Sequence, residues 1–318
     1  MLHHYIFSRH SFAFATTCLA LIPISHAQSA EPLEEPSFVQ NSEWSFELSA
    51  GVESDSNVSV SELDQNTRSG DTALRLRAEV DFETQLSEQT ELKLGYTFSD
   101  KSFDEFSNFD LQTHLASATL SHDFDVVKLG LTARYIDAHL GGEGFQSFTQ
   151  VSPHISGFAS KKLFLRGAYT LSDKSFDIQT TRDADVHTLD LDAYYFIDGS
   201  KRYVSLGLER ETSDAVDSQF SYDGFGFNLR FTQRFDFRGQ RARARAGWRF
   251  ETRDYDGITP SLGTQREDDR NRFQAELELP LNESLFVALD YEYGDFSSNL
   301  PSADYDQHVF TARLGVRF

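Results

Sequence analysis

Read two residues at a time from its end, the chain separates into an apolar and a polar set. Phe310, Ala312, Leu314, Val316 and Phe318 alternate with Thr311, Arg313, Gly315 and Arg317. Successive side chains of a β-strand point to opposite faces, so a period of two predicts a strand with one apolar and one polar face. Segment 271–281 repeats the pattern, with Phe273, Ala275, Leu277, Leu279 and Leu281 against Arg272, Gln274, Glu276 and Glu278. After a tight turn at Asn282-Glu283-Ser284, the next strand sets Leu285, Val287, Leu289, Tyr291 and Tyr293 against Ala288, Asp290 and Glu292. The same alternation predicts strands over 44–52, 73–86, 91–99, 126–135, 163–172, 186–197, 203–211, 225–235 and 241–253. Segments 110–124 and 145–160 alternate less cleanly. Pro153 in the second has no N–H for the ladder, which predicts a bulge or a locally weak pairing.

These segments make about fourteen strands, and their connections alternate in length. Short turns are expected near 87–90, 122–125, 160–162, 198–202, 236–240 and 282–284. Long polar connections are expected near 53–71, 100–109, 136–145, 173–185, 212–223, 254–269 and 294–306. Such alternation places both ends of the strand array on one side and predicts an all-β, transmembrane, antiparallel up-and-down β-barrel of about fourteen strands. A soluble sandwich or propeller also alternates. It does not need an outward face of Leu, Val, Phe and Tyr on almost every strand, nor a terminal aromatic residue.

Composition supports export. Arg9 precedes an apolar stretch from Ser11 to Ile24 and then Ser25-His26-Ala27, the layout of a cleaved secretory signal. The expected domains are therefore a signal peptide over 1–27, a periplasmic leader over 28–43 and a barrel over 44–318. The single cysteine, Cys18, leaves with the signal, so the mature chain carries neither thiol nor disulfide. Mean hydropathy is −0.45, and no stretch after the signal approaches the length of a membrane helix. Alternating strands cancel in such an average. The formal charge is −21, which excludes nucleic acid as a partner class. Lipid and lipopolysaccharide of a bacterial outer membrane are the expected surroundings.

Candidate chemistry lies on the inward faces. Arg230, Arg234, Arg241, Arg243, Arg245, Arg249 and Arg253 face the lumen, while Ala242, Ala244, Ala246, Trp248 and Phe250 face out. Opposing acids are Glu276, Glu278, Asp290 and Glu292 on one side and Asp190, Asp192, Glu209 and Glu211 on the other. This ladder reads either as a charged constriction that filters solutes or as a salt-bridge network that stiffens the wall. The acid clusters Glu267-Asp268-Asp269 and Asp214 with Asp217 read as solvated loop surface, with no EF-type spacing. The histidines His114, His122, His139, His154, His187 and His308 show no metal-ligand spacing, and no nucleophile elbow is present. No catalytic site, metal or cofactor is expected.

The octet Thr311 to Phe318 resembles the signal read by the outer-membrane barrel assembly machinery: a polar Thr311, then hydrophobic Val316 and Phe318 at its sixth and eighth positions. It departs at the third, where Arg313 replaces the usual glycine.

A second resemblance covers most of 44–318. Gly51-Val52-Glu53-Ser54-Asp55-Ser56-Asn57-Val58 is similar to the Gly-x-x-x-Asp-x-Asn-Val motif that follows the first strand in barrels of the surface lipoprotein assembly modifier (Slam) family. Tyr291, Ser298-Asn299, Pro301, Tyr305 and Leu314-Gly315-Val316-Arg317-Phe318 resemble that family's closing hairpin, and Arg266 to Arg272 its charged approach to the twelfth strand. The resemblance implies a fourteen-stranded barrel that moves lipoproteins to the cell surface, with Gly51, Asp55, Asn57 and Val58 as motif residues and a lipoprotein client as partner. Family members usually carry a periplasmic tetratricopeptide-repeat domain, for which this sequence leaves no room. A client-recognition domain on a separate chain is one way to meet that need. The alternative from the residues themselves is a monomeric, porin-like diffusion channel with a charged lumen. A purely adhesive role of the acidic loops is a third.

Overall fold

In the computed structural model, residues 40–318 are described. The expected signal peptide, and the leader as far as residue 39, lie outside them. Strands in chain order are β1 (Gln40–Asp55), β2 (Ser59–Val60), β3 (Gln65–Asn66), β4 (Asp71–Gln85), β5 (Thr90–Phe103), β6 (Leu111–Asp123), β7 (Lys128–Leu140), β8 (Glu143–Ser160), β9 (Leu163–Phe176), β10 (Ala184–Asp198), β11 (Arg202–Ala215), β12 (Tyr222–Phe237), β13 (Gln240–Thr259), β14 (Thr264–Pro280), β15 (Leu285–Ser298) and β16 (Tyr305–Arg317). All except β2 and β3 join in one closed antiparallel ring, each strand beside its chain neighbour and β1 beside β16. Residues 40–43, expected at the end of the leader, belong to β1.

The ring is fourteen strands because fourteen segments alternate, and it closes because an open edge in lipid leaves backbone groups without partners. At the seam Glu47 faces Arg317 and the pairing runs up to Asp55 opposite Val309. Phe46 and Phe318 exchange both backbone hydrogen bonds, at 3.1 and 2.8 Å. Gly51 faces Arg313 there, and a Cβ on it would fall 2.3 Å from the Ala312 carbonyl oxygen. Only glycine fits so close an approach.

The outer face is apolar as the alternation predicts: Leu314, Phe310, Leu191 and Leu131 are each about half exposed. Tyrosine–histidine pairs recur on it, with Tyr96–His114 at 2.8 Å, Tyr169–His187 at 2.7 Å and Tyr291–His308 at 2.9 Å. Each pair combines an apolar ring with a satisfied polar tip, which suits the edge of an apolar band.

The connections differ from expectation. The six turns fall where they were expected, but six of the seven long connections shrink to 104–110, 141–142, 177–183, 216–221, 260–263 and 299–304. The strands run past the apolar band. Beyond it both faces meet water, so apolar and polar residues stop alternating while the hydrogen-bond ladder continues. The expected loop 136–145 is a two-residue turn at Gly141 and Gly142, with φ of 59° and 84°, the conformation a tight hairpin demands. The acids Glu267, Asp268 and Asp269 lie within β14. Asp268 is buried between Arg266 and Arg270, which corrects its reading as solvated loop. Pro153 leaves the β8–β9 ladder unpaired at 152 and 153 without moving its register. The irregularities in β8 lie instead beside Phe145, where pairing with β7 slips, and between Phe158 and Ser160, where pairing with β9 slips.

Leu314 faces outward at 51% exposure, while Arg313 points inward and holds Asp290 at 2.8 Å. We expect Leu314→Arg to destabilise the barrel by about 2–4 kcal/mol in lipid. Arg313→Ala should leave the lipid face intact and free Asp290. Urea unfolding in vesicles and heat-modifiability on semi-native gels check the difference, and equal behaviour of the two variants contradicts it.

Candidate functional site

The connection 56–70 is the one that stays long, and it folds into the mouth of the barrel. Its start is fixed by the motif residues. Asp55 accepts a hydrogen bond from the Asn57 N–H at 2.9 Å and two from Gln307 Nε2 at 2.8 Å. Asn57 in turn accepts from the Arg68 N–H at 2.9 Å and donates to the Asp306 carbonyl at 3.3 Å. Such short side-chain bonds to backbone turn the chain back across the ring. The loop then forms the β2–β3 ribbon with a 3-10 turn, Ser61–Leu63, at its tip. Asp64 closes that turn in the left-handed region, at φ 56°, which Asp tolerates better than most residues.

Apolar contacts seat the loop on one side of the wall. Val58, fully buried, packs with Ala73 and Phe103, backed by Phe106 and Phe109. Val60 and Leu63 pack on Ala138, Phe145 and Phe176. The two seats are related by an internal repeat: Tyr96-Thr97-Phe98-Ser99-Asp100-Lys101-Ser102-Phe103-Asp104 recurs as Tyr169-Thr170-Leu171-Ser172-Asp173-Lys174-Ser175-Phe176-Asp177. In both copies the phenylalanine N–H donates to an aspartate seven residues on, Asp110 or Asp183, at 2.7 Å. The lysines pair with glutamates of the first strand and its loop, Lys101 with Glu53 at 3.0 Å and Lys174 with Glu62. Strand-by-strand alternation hides this signal, but comparing the chain with itself exposes it.

Charged contacts tie the loop both to this side and across the mouth. Asp64 accepts from Arg182 Nη2 and Arg266 Nη1, both at 2.7 Å. Arg182 follows β9 and Arg266 belongs to β14, so one carboxylate joins walls five strands apart. Arg182 also donates to the Glu62 carbonyl at 2.9 Å. Arg266 is 2% exposed, lies over the Tyr255 ring at 4.5 Å and makes a two-pronged bond to Asp268 at 2.8 and 2.7 Å. Burial disfavours the charged form of Glu62, but Lys174, Arg253 and Arg270 outweigh it and hold its carboxyl down to about 2.

From the mouth down through the lumen the structure places the predicted charges mostly in pairs. Arg243 bonds Glu276 at 3.1 Å and Glu278 at 2.6 Å, and Arg245 reaches Glu276 at 3.3 Å. Arg249 spans to Glu209 at 3.3 Å, and Arg253 holds Glu251 at 2.7 Å. Asp290 goes to Arg313 and Asp192 to Arg166, while Glu292 accepts from Gln274 at 2.6 Å. Glu211 accepts from the Tyr222 hydroxyl at 2.5 Å. Arg234 turns to the Ser200 carbonyl at the turn end. Arg230 and Arg241 have no carboxylate within 4 Å among the described residues. Thr311 donates inward to Glu53 at 3.1 Å, while Val316 and Phe318 sit on the outer face beside β1. Among the described residues no group of three or more His, Cys, Asp or Glu is placed to hold a metal ion.

A family model described as the outer membrane protein beta-barrel domain matches residues 111–318. The chain belongs to this family. As an outer-membrane protein it shares its fold with solved barrels. The loop L8 deletion mutant of OmpT from Vibrio cholerae matches at TM-score 0.52 and 12% identity, over 87% of this chain and 99% of that one. The in-vitro folded OmpT of the same organism, in its trimer form, matches at 0.52 and 11%, over 87% and 99%. An anion-selective porin from Comamonas acidovorans matches at 0.50 and 7%, over 87% and 99%. At such identities the likeness is one of fold. No curated protein matches the chain.

The depressed Glu62 carboxyl fixes a pH response. A group whose folded value lies below its ordinary 4.5 contributes stability that is fully present above 4.5 and is lost as pH falls toward about 2. Hydrogen-exchange protection of 56–70 should hold from pH 7 to pH 4 and fail only close to pH 2. Loss of protection already at pH 5 contradicts the docking geometry.

Proposed function

We propose that this barrel is a diffusion channel for small polar solutes, narrowed at its outer mouth by the loop 56–70. The observation that carries the reading is the lumen wall itself. Charged and hydroxyl side chains line it from the turn end, at Glu47, Arg317 and Glu278, up to Arg266 and Asp268 at the mouth. A wall of paired charges offers a passing solute polar partners at every level, and cations outside such pairs, Arg230 and Arg241, bias which solute passes. The fold shared with porins supports the same reading. Thr311, Val316 and Phe318 serve in it as the signal for the barrel assembly machinery, and lipopolysaccharide contacts the outer rim.

A second reading, movement of lipoproteins to the cell surface, rests on the Gly51, Asp55, Asn57 and Val58 motif. In this chain those residues build the seam and the loop that enters the mouth, a role that a channel needs as well. A translocating barrel would in addition take a separate client-binding chain.

Single-channel recording of the refolded protein at two salt concentrations separates the two. The channel reading expects steady current. Arg243→Ala with Arg245→Ala leaves Glu276 uncompensated and Glu278 with Arg317 alone, and should move the reversal potential toward cation preference. The shift should be larger at 0.1 M than at 1 M salt, because the screening length falls from about 10 Å to about 3 Å. A correctly folded barrel without current, joined to loss of surface lipoproteins on deletion, overturns it in favour of the second reading.

A further inference from the structure

The mouth holds more positive charge than its own wall neutralises. Lys174, Arg182, Arg253, Arg266 and Arg270 surround the tip of the loop, and the wall carboxylates paired with them are Glu251 and Asp268. Glu62 and Asp64 of the loop bring the paired carboxylates to four against these five cations. Aromatic rings hold three of the guanidinium groups in place: Arg182 lies 4.0 Å from the Phe220 ring centre, Arg253 4.5 Å from Tyr222 and Arg266 4.5 Å from Tyr255. Arginines fixed in this way are prepared for carboxylates, because little freedom is lost when the bond forms. The buried Arg182 Nε has no acceptor among the described residues, so the cradle is not filled to its donor capacity. Beside Asp64 a cleft of about 10 Å³ between Ser61, Arg266, Arg270 and Tyr305 has room for about one water.

We propose that this cradle is a binding site for small dicarboxylates, which Glu62 and Asp64 of the loop occupy in place of the ligand. A dicarboxylate that takes over Lys174, Arg182 and Arg266 displaces the tip and widens the mouth. The widening rests on the channel reading, whereas the binding does not. Competition sets the magnitude. A tethered pair acts at an effective concentration of about millimolar or above, so the intact protein binds the free ligand weakly, and neutralising the tether tightens binding.

The test is titration calorimetry of the refolded full-length barrel in detergent micelles with glutarate, and with acetate at matched ionic strength. Glu62→Gln with Asp64→Asn should bind glutarate about tenfold or more tightly than the intact protein, and both should bind acetate more weakly than glutarate. Semi-native gels establish folding of the double variant, and Asp64→Asn alone serves if it does not fold. Binding of glutarate no tighter by the variant than by the intact protein, or no better than acetate, overturns the assignment. In planar bilayers the variant should conduct more than the intact protein, and glutarate should raise the intact protein's current toward it. Tighter glutarate binding by the variant, with no current from any folded barrel, overturns the channel reading and the widening while sustaining the binding site.

Discussion

Everything in this molecule depends on the hydrogen bonds between β1 and β16. In hydrocarbon an unpaired N–H or C=O costs several kcal/mol, and an open sheet of this size would present two rows of them. The seam removes both rows, and it leaves a mark on the sequence. Gly51 sits where a side chain would strike the opposing backbone, and Phe318 completes the ladder to Phe46. Once the ring is closed, the two faces of each strand meet different solvents. The apolar set then faces lipid, and the charged set is confined to a lumen where only other charges and water can satisfy it.

That confinement explains why the lumen charges are paired. An arginine alone in a partly dry interior loses hydration without compensation, so neighbouring strands supply acids in register, as β14 does for β13 through Arg243 facing Glu278 and Arg245 facing Glu276. The balance fails at the mouth, where basic residues from β9, β13, β14 and the connection after β9 exceed the acids of the wall. The loop 56–70 enters there and narrows the difference with Glu62 and Asp64. Its apolar residues settle on Phe103 and Phe176, Glu62 pairs with Lys174 beside that second seat, and Asp64 reaches across to Arg266 on β14, so position and charge are satisfied by one insertion.

The strands were legible because their alternation is a direct record of two solvents. All fourteen segments read from residues such as Phe273 and Glu276 became barrel strands. What escaped was whatever lies above the apolar band. There the residues of 254–259 and 264–269 no longer alternate between apolar and polar, as loop residues do not, so a strand and a loop look alike. The ladder charges were identifiable one by one, but their partners required the register: Arg249 reaches Glu209 across an intervening strand, which spacing along the chain does not show. The loop in the mouth was the least visible element, because Val58, Val60 and Leu63 are scattered apolar residues in a polar stretch. The repeated segment that builds their seats, 96–104 and 169–177, was in plain view along the chain, but its similarity lies in the order of its residues, which a search for a period of two does not compare.

A closed ring of fourteen strands is a soft hoop, easily flattened because each hydrogen-bonded pair can hinge slightly on the next. Asp64, bound at once to Arg182 after β9 and Arg266 on β14, acts as a spoke across that hoop. It sets the distance between those two walls through a single carboxylate. With Asp64 bound to both arginines, the loop and the two walls share one set of bonds. The shape of the wall and the position of the loop are therefore a single mechanical variable.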